Sequence, residues 1–334
     1  MGSKRASRTP RVMSRILSGP EAIAAGIAEL TAHRPVAFPT ETVYGLGADA
    51  LNEEAVHAVF SLKGRPSTNP LIVHVSGIEM AQPLVEEWTE RADAIARAHW
   101  PGPVTIVLKK SGCVPGIVCA GGETVAIRCP AHPVALALIE AFGRPIVGPS
   151  ANPSGWISPT TPEHVLAGFP EKDLVIIDGG ACRAGIESTV LDLASGAPRV
   201  LRPGVVGRDL LSNTLGVDVE HASLVEDGSP LRSPGLLGAH YQPRTPCRLV
   251  KSSDLASAPS AAAVIAWSIS SHPSGGVFAG LPGDPEGYAS VLYSAMHRAD
   301  AGPCGEIWIE HPPAGDNAIW DAVLERLARA TKSG

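Results

Sequence analysis

Lys63 and Arg65, in the segment KGRPSTNPLIVH (63–74), are two cations two residues apart, followed by Pro66 and Pro70. In an extended segment this spacing points both side chains to one face. Lys63 would supply a mobile point charge and Arg65 a planar fork, a combination suited to nucleotide phosphates or a carboxylate. The prolines restrict the neighbouring dihedrals and would hold the charges in place. On its own, KGR reads equally as a solvated basic turn.

Four further groups could join that pair. PTETVYGLG (39–47) sets Thr40, Glu41 and Thr42 against a glycine-punctuated turn, either a ligand-facing loop or a plain strand-to-helix connection. ETVAIRCP ends a strand on Arg128 with Thr124 four residues earlier on the same face, although a strand-end arginine also suits a surface ion pair. GPSANPSG (148–155) gathers Ser150, Asn152 and Ser154 after a buried strand, where α/β sheets bind ligands, or forms a serine-rich turn. GIESTVLDL and VLRPG bring Ser188 and Arg202 to strand edges or ends. The sequence has no GxxxxGK[ST], no third glycine after GLGADA, no GxSxG and no HExxH. Chemistry at these residues would therefore rest on positioning and fixed charge rather than a covalent nucleophile.

The elements that would carry these residues follow from periodicity. A helix is expected from Ile16 to Leu30, then a short buried strand at 35–38 ending at Pro39, then TETVYGLGADA as a loop. Asn52, Glu53 and Glu54 open a second helix that Gly64 closes just after Lys63. Strands are predicted at 71–75, 104–109, 124–129, 145–148, 174–177, 188–193 and 199–202. Helices are predicted near 83–98, 133–142, 162–168 and 208–215, the third opened by Thr161 and Pro162. The texture then changes at SPGLLGAHYQPRTP (233–246), the best linker candidate. Beyond it CRLV, AAVIAW, GVFAG and EIWIE read as strands, with helices from about Glu286 to Arg298 and Ala318 to Arg329. The pattern implies an α/β layer structure with a second, small α/β domain.

A chain of 334 residues suggests two domains, and an apolar fraction of 44% is that of an ordinary globular protein. The formal charge of −6 argues against a general polyanion-binding surface while leaving room for a local basic cleft. Six cysteines without a CxxC pair point away from zinc or a disulfide framework and towards small buried residues in a reducing compartment, the cytoplasm. Cys129, beside Arg128, reads as packing. No apolar run reaches a membrane span or a secretory signal. The first residues, rich in Lys and Arg, are expected to form a disordered basic tail over 1–13.

Taken in order, PTETVYGLG, KGRPSTNPLIVHV, WPGPVTIVL, TVAIRCPAHP, GPSANPSG, ESTVLDL and RPG resemble the YrdC-type threonylcarbamoyl-AMP synthase family over roughly residues 14–217. SPGLLGAHYQPRTP resembles the linker of that family's long form, which implies a linker over 218–245 and a domain over 246–334. The implied fold is a YrdC-like twisted mixed sheet flanked by helices around a large concave pocket, with a small Rossmann-like α/β domain after it. The implied reaction condenses L-threonine, bicarbonate and ATP to threonylcarbamoyl-AMP and pyrophosphate, and a transferase partner then modifies the adenosine beside the tRNA anticodon.

Carried over by motif position, Lys63 and Arg65 would be catalytic. Lys63, Arg65, Asn69, Thr124, Ser150, Asn152, Ser158 and Arg202 would contact ATP, with Tyr241 of the linker covering it. Thr42, His74, Arg128 and Ser188 would hold threonine. Mg²⁺ is expected to arrive with ATP, its ligands mostly phosphate oxygens and water. Gly148 stands where the family commonly carries Ser or Thr, which would replace a side-chain contact to the amino acid by backbone or water. Gly238 stands where an aromatic residue is frequent. Two other readings of such a cleft are a non-catalytic RNA-binding module, with weak contact to tRNA, and a carbamoyltransferase. The second normally carries regions that this chain lacks.

Overall fold

VAF at 36–38 and VII at 175–177 alternate between two cores, so the strands at the centre of the larger sheet are buried on both faces. The computed structural model describes residues 13–221, 240–313, 315 and 317–331. Its strands are, in chain order, β1 (Arg15–Leu17), β2 (Val36–Phe38), β3 (Gly45–Asp49), β4 (Ile72–His74), β5 (Val104–Lys109), β6 (Thr124–Arg128), β7 (Ile146–Val147), β8 (Val175–Ile177), β9 (Thr189–Asp192), β10 (Arg199–Arg202) and β11 (Glu220–His221). They form one mixed sheet in the order β1-β8-β2-β3-β7-β4-β6-β5-β9-β10-β11. Helices α1 (Gly19–Thr31), α2 (Glu53–Lys63), α3 (Ile78–Ala81), α4 (Glu90–His99), α5 (Pro133–Phe142), α6 (Pro162–Gly168) and α7 (Arg208–Leu215) flank it. Val36, Phe38, Val175 and Ile177 pack with α1 and α5, whereas Ala37 and Ile176 share the other core with α2 and α4.

A second sheet joins β12 (Cys247–Val250), β13 (Ala262–Ala266), β14 (Val277–Gly280) and β15 (Glu306–Glu310), all parallel, in the order β12-β15-β13-β14. Helices α8 (Pro285–Ala301) and α9 (Ala318–Ala330) bury one face of it, in a cluster that also takes in Val43, Ile157, Ile186 and Tyr241. The two sheets are thus joined through apolar contact on the side where the linker enters. No described helix is long and apolar enough to cross a membrane.

Local chemistry accounts for the ends of the elements that matter most. Asn52 caps α2 by accepting from the Ala55 amide at 2.9 Å, and Gly64 ends it in the left-handed conformation at φ 61°. Thr161 caps α6 through the His164 amide at 3.3 Å.

The structure departs from the sequence reading in several places. Ile16 and Leu17 belong to β1, parallel to β8, and the first helix starts only at Gly19, where Pro20 favours the first turn. TETVYGLGADA is not all loop, since Gly45–Asp49 pairs antiparallel with β2. Its glycines serve a close approach: a Cβ on Gly45 would lie 2.7 Å from Phe38 Cζ. The helix expected over 83–98 is broken into α3, a 3-10 turn over Gln82–Leu84 that contains Pro83, and α4, which Thr89 caps anew. β11 had no recognisable sequence signal. The expected tail, apart from Met13, and the SPGLLGA part of the linker, Gly238 included, lie outside the described residues, whereas HYQP is described from His240 onward.

Candidate active site

Lys63 is the last residue of α2, and because Gly64 turns the chain left-handed directly after it, the pair is not the extended segment inferred from spacing. The helix end and the turn bring the two cations to one side all the same. Lys63 is buried, and its Nζ donates to Ser150 O and, at 2.6 Å, to Asn152 O, which ties α2 to the GPSANPSG loop. It is therefore a fixed charge rather than a mobile one. Burial, with Arg65 adding to it, holds the Lys63 ammonium well below its ordinary pKa. Arg65 donates from Nε to Asn69 O at 3.3 Å and from Nη2 to Pro70 O at 3.0 Å, so its own PSTNP loop orients it. Burial lowers Arg65 to about 10.

β4 and β6 run parallel with His74 opposite Arg128, so the two side chains end neighbouring strands side by side. Arg128 donates from Nε to Gly102 O at 3.2 Å and pairs through Nη2 with Glu41 at 2.7 Å, both side chains being buried. This is a buried pair, not a surface one, and it leaves the arginine anchored at a sheet end. Burial, reinforced by the Arg128 charge, lowers His74 to about 3, so its imidazole is neutral at physiological pH. Thr40 Oγ1 lies 2.9 Å from Thr42 Oγ1 and donates to Val43 O at 2.6 Å, which shapes the PTET loop beside them.

Further along the sheet Ser188 Oγ lies 2.8 Å from Thr105 Oγ1. Arg202 donates to Ser188 O from Nε at 3.1 Å and from Nη2 at 3.0 Å, and its Nη2 also reaches Ser188 Oγ at 3.1 Å. Glu187, the residue before Ser188, accepts from Ser158 Oγ at 2.6 Å, Arg326 Nε at 2.8 Å and Tyr293 OH at 3.1 Å. Burial by itself would raise this carboxyl, but Arg326 and Arg202 outweigh it and bring it to about 2.

Thr42, Arg65, His74, Arg128, Ser150, Ser188, Arg202 and Tyr241 line one cavity, together with Glu187 and His240. Lys63 sits behind Ser150 and Asn152, Ser158 behind Glu187, and Asn69 behind Arg65. Asn152 donates from Nδ2 to Pro153 O and Trp156 O, while its Oδ1 and that of Asn69 have no protein partner. Thr124, half-buried at the start of β6 opposite Lys109, is not in the lining. Strand geometry separates it from Arg128 by about 13 Å.

The cavity leaves only about 40 Å³ of free room, because His240 and Tyr241 enter it from the linker. Tyr241 has φ 64°, is 1% exposed and stacks on Tyr293 at 5.9 Å between ring centres. Gly148 has a physical reason: a Cβ there would stand 2.6 Å from His74 Nδ1, so the imidazole takes the space that a side chain would need. Among the described residues no cluster of three His, Cys, Asp or Glu side chains is placed to hold a metal. Of the carboxylates near the cavity, Glu187 is hydrogen-bonded by Arg326, whereas Glu41 lies at ion-pair distance from Arg128 with no hydrogen-bond geometry to it. Cys129 is 1% exposed, and burial raises its thiol to about 12, as a packing residue requires.

Sequence reasoning missed Glu187, His240, Tyr293 and Arg326. Glu187 lies inside the quoted ESTV motif and His240 inside HYQP, but Tyr293 and Arg326 sit in ordinary amphipathic helices that carry no local signal.

A family model described as Telomere recombination, of the Sua5, YciO and YrdC proteins, matches residues 28–204. Another, described as Threonylcarbamoyl-AMP synthase, C-terminal domain, matches residues 206–332. A threonylcarbamoyl-AMP synthase of Pyrococcus abyssi is 47% identical over 209 residues, which are 62% of this chain and 62% of that protein, so the match spans less than two thirds of the relative. The Bacillus subtilis protein of the same name is 43% identical over 233 residues, 69% of this chain and 67% of that protein. The crystal structure of P. abyssi Sua5 complexed with L-threonine superposes with a TM-score of 0.86 at 34% identity, covering 95% of this chain and 97% of that one. The chain belongs to the Sua5/YciO/YrdC family, in the long form with the Sua5-type C-terminal domain.

Proposed function

We propose that this protein is an L-threonylcarbamoyladenylate synthase, which joins L-threonine, bicarbonate and ATP and releases pyrophosphate. The observation that carries the reading is the convergence of Arg65, Arg128 and Arg202 on one cavity, with Lys63 directly behind its wall. Two anionic groups, a carboxylate and a triphosphate, suit such a hollow, and the three arginines enter it from separate elements. The cations are buried and inward-facing, which does not suit a module that grips an RNA backbone on its surface.

In this reading Arg128, His74, Thr42 and Ser188 hold threonine, the guanidinium taking the carboxylate. ATP lies against Arg65, Arg202, Ser150 and the amides of the following loop, with Lys63, Asn69, Asn152 and Ser158 supporting. The neutral amino nitrogen of threonine attacks the carbon of bicarbonate, and water leaves to give a carbamate. A carbamate oxygen then attacks the α-phosphorus, and the bond to the bridging oxygen breaks with its electron pair leaving on pyrophosphate. Fixed cations beside that phosphorus offset the accumulating charge, an effect worth on the order of 10²–10³ in rate for a single donor. Bound Mg²⁺ would neutralise phosphate charge. Among the described residues the carboxylates nearest the cavity, Glu41 and Glu187, face arginines, and phosphate oxygens and water would supply most ligands of the ion.

His240 and Tyr241 must withdraw for ATP to enter, since about 40 Å³ is far below the several hundred that a nucleotide requires. The chain would divide into a catalytic region to about 217, a linker to 245 and a domain from 246, and its product would pass to a transferase acting on tRNA. The test is incubation of the purified protein with ATP, threonine and bicarbonate. Pyrophosphate release requiring all three, with threonylcarbamoyl-AMP identified by mass, is expected. Release independent of threonine, or no adenylate product, would overturn the assignment.

A further inference from the structure

Arg326 of α9 has no exposed side-chain surface, yet it belongs to the C-terminal domain and reaches the wall of the cavity. Its Nε donates to Glu187 at 2.8 Å, its Nη2 donates to Pro203 O at 3.0 Å, and its guanidinium lies 5.5 Å from the centre of the Tyr241 ring. Glu187 and Pro203 are the immediate chain neighbours of Ser188 and Arg202. The β9–β10 ladder shifts register between Val200 and Arg202, and Arg202 then pairs with Val190 as the last residue of the ladder. One side chain from the second domain therefore ties together the two strand ends that carry Ser188 and Arg202.

The charge at this point matters as much as the tether. Glu187 lines the same cavity as Arg65 and Arg202, where polyphosphate is expected to lie. An unpaired carboxylate there would repel the nucleotide and compete for those arginines. We infer that Arg326 is a positioning residue through which the C-terminal domain neutralises Glu187 and holds it off the phosphate path, so that this domain sets the affinity of the pocket for ATP. The inference rests on the proposed function only in taking ATP as the ligand. Threonine, held by Arg128, His74 and Thr42 as well as by Ser188, should be affected less than ATP, because the repelling charge acts on the phosphates.

The test measures ATP dissociation constants by calorimetry, and the KM for ATP and for threonine by pyrophosphate release, in the full chain. Arg326→Gln is expected to weaken ATP binding roughly tenfold or more while the KM for threonine rises by a clearly smaller factor. Arg326→Lys, which keeps the charge and loses the fork, should fall between. In Glu187→Gln/Arg326→Gln the repelling carboxylate is gone, and much of the ATP affinity should return. A purely structural role would lower the melting temperature and the active fraction but leave the ATP constants of the folded protein unchanged, and that result would overturn the inference. So would a double variant that binds ATP no better than Arg326→Gln. If Arg326→Gln does not fold, Arg326→Lys decides alone by whether its ATP constant moves. Because ATP binding is read without turnover, a wild-type protein that binds ATP but makes no adenylate would count against the proposed function and not against Arg326.

Discussion

Lys63 is a buried ammonium held by two backbone carbonyls, with no carboxylate partner among the described residues. Burial works against its charge, and in the proposed reaction a nearby phosphate would favour it. Lys63→Met removes both the buried charge and its two hydrogen bonds, terms of opposite sign. Its melting temperature should shift by no more than a few degrees while pyrophosphate release falls by at least about 100-fold. An activity loss that merely tracks the unfolded fraction would contradict this. Gly148 makes a complementary case. Gly148→Ser forces a Cβ to within 2.6 Å of His74 as it now stands, so the imidazole must rotate away from the position proposed to meet threonine. The KM for threonine should rise and that for ATP should not.

At the scale of elements, the end of α2 links local stability to the site. Gly64 has φ 61°, and a Cβ there would meet nothing within 4 Å. Gly64→Ala therefore costs only the left-handed backbone penalty, about 1 kcal/mol, but relieving that strain would move Lys63 and Arg65 together. Asn52→Ala removes the cap at the other end of the same helix at a similar cost, about 1 kcal/mol. Denaturant unfolding should show comparable losses for the two variants, whereas turnover should drop only for Gly64→Ala. Equal effects on turnover would mean that the helix as a whole, and not its C-terminal turn, positions the cations. The same scale explains what sequence patterns reveal. Caps such as Asn52 and Thr161 are chemically local and were legible. β3 was not, because its glycines signal a turn by propensity and only the Phe38 ring shows that they are there for close packing.

For the whole molecule, the junction between the two sheets should be acid-sensitive, alongside His74 in the cavity, which burial also lowers to about 3. His297 on α8 stacks on His164 at 4.0 Å between ring centres and bonds Ser158 O at 3.1 Å. Burial, with His164 adding to it, lowers His297 to about 3, and burial likewise lowers His240 to about 3. The unfolded chain takes up protons on these residues near 6.5, so it binds more protons than the native state between about 6.5 and 3, and stability falls as pH drops through that window. Glu187, at about 2 against an ordinary 4.5, adds a loss of the same sign below about 4.5. Each fully buried histidine contributes about 1.4 kcal/mol per pH unit at most. Urea unfolding at pH 7.5, 6 and 5 should show the decline, and His297→Gln should make it shallower. An unchanged slope in that variant would show that His297 already carries its proton in the folded protein.

The sequence by itself determined the chemistry on offer: which residues carry charge, which helices begin and end where, and, through the order of seven short motifs, the family. These are properties of neighbours along the chain, and caps, alternation and motif spacing express them directly. Tertiary structure alone decided which charges meet. Glu41 with Arg128, Glu187 with Arg326, and Tyr241 between Tyr293 and the cavity are contacts across tens to hundreds of residues, made by side chains whose local surroundings resemble any amphipathic helix or polar loop. Thr124 shows the reverse limit, since a shared strand face gave it the direction of Arg128 but not its depth, and only the packed sheet reveals that it lies at the other end. Direction follows from backbone periodicity, whereas enclosure depends on everything packed around it.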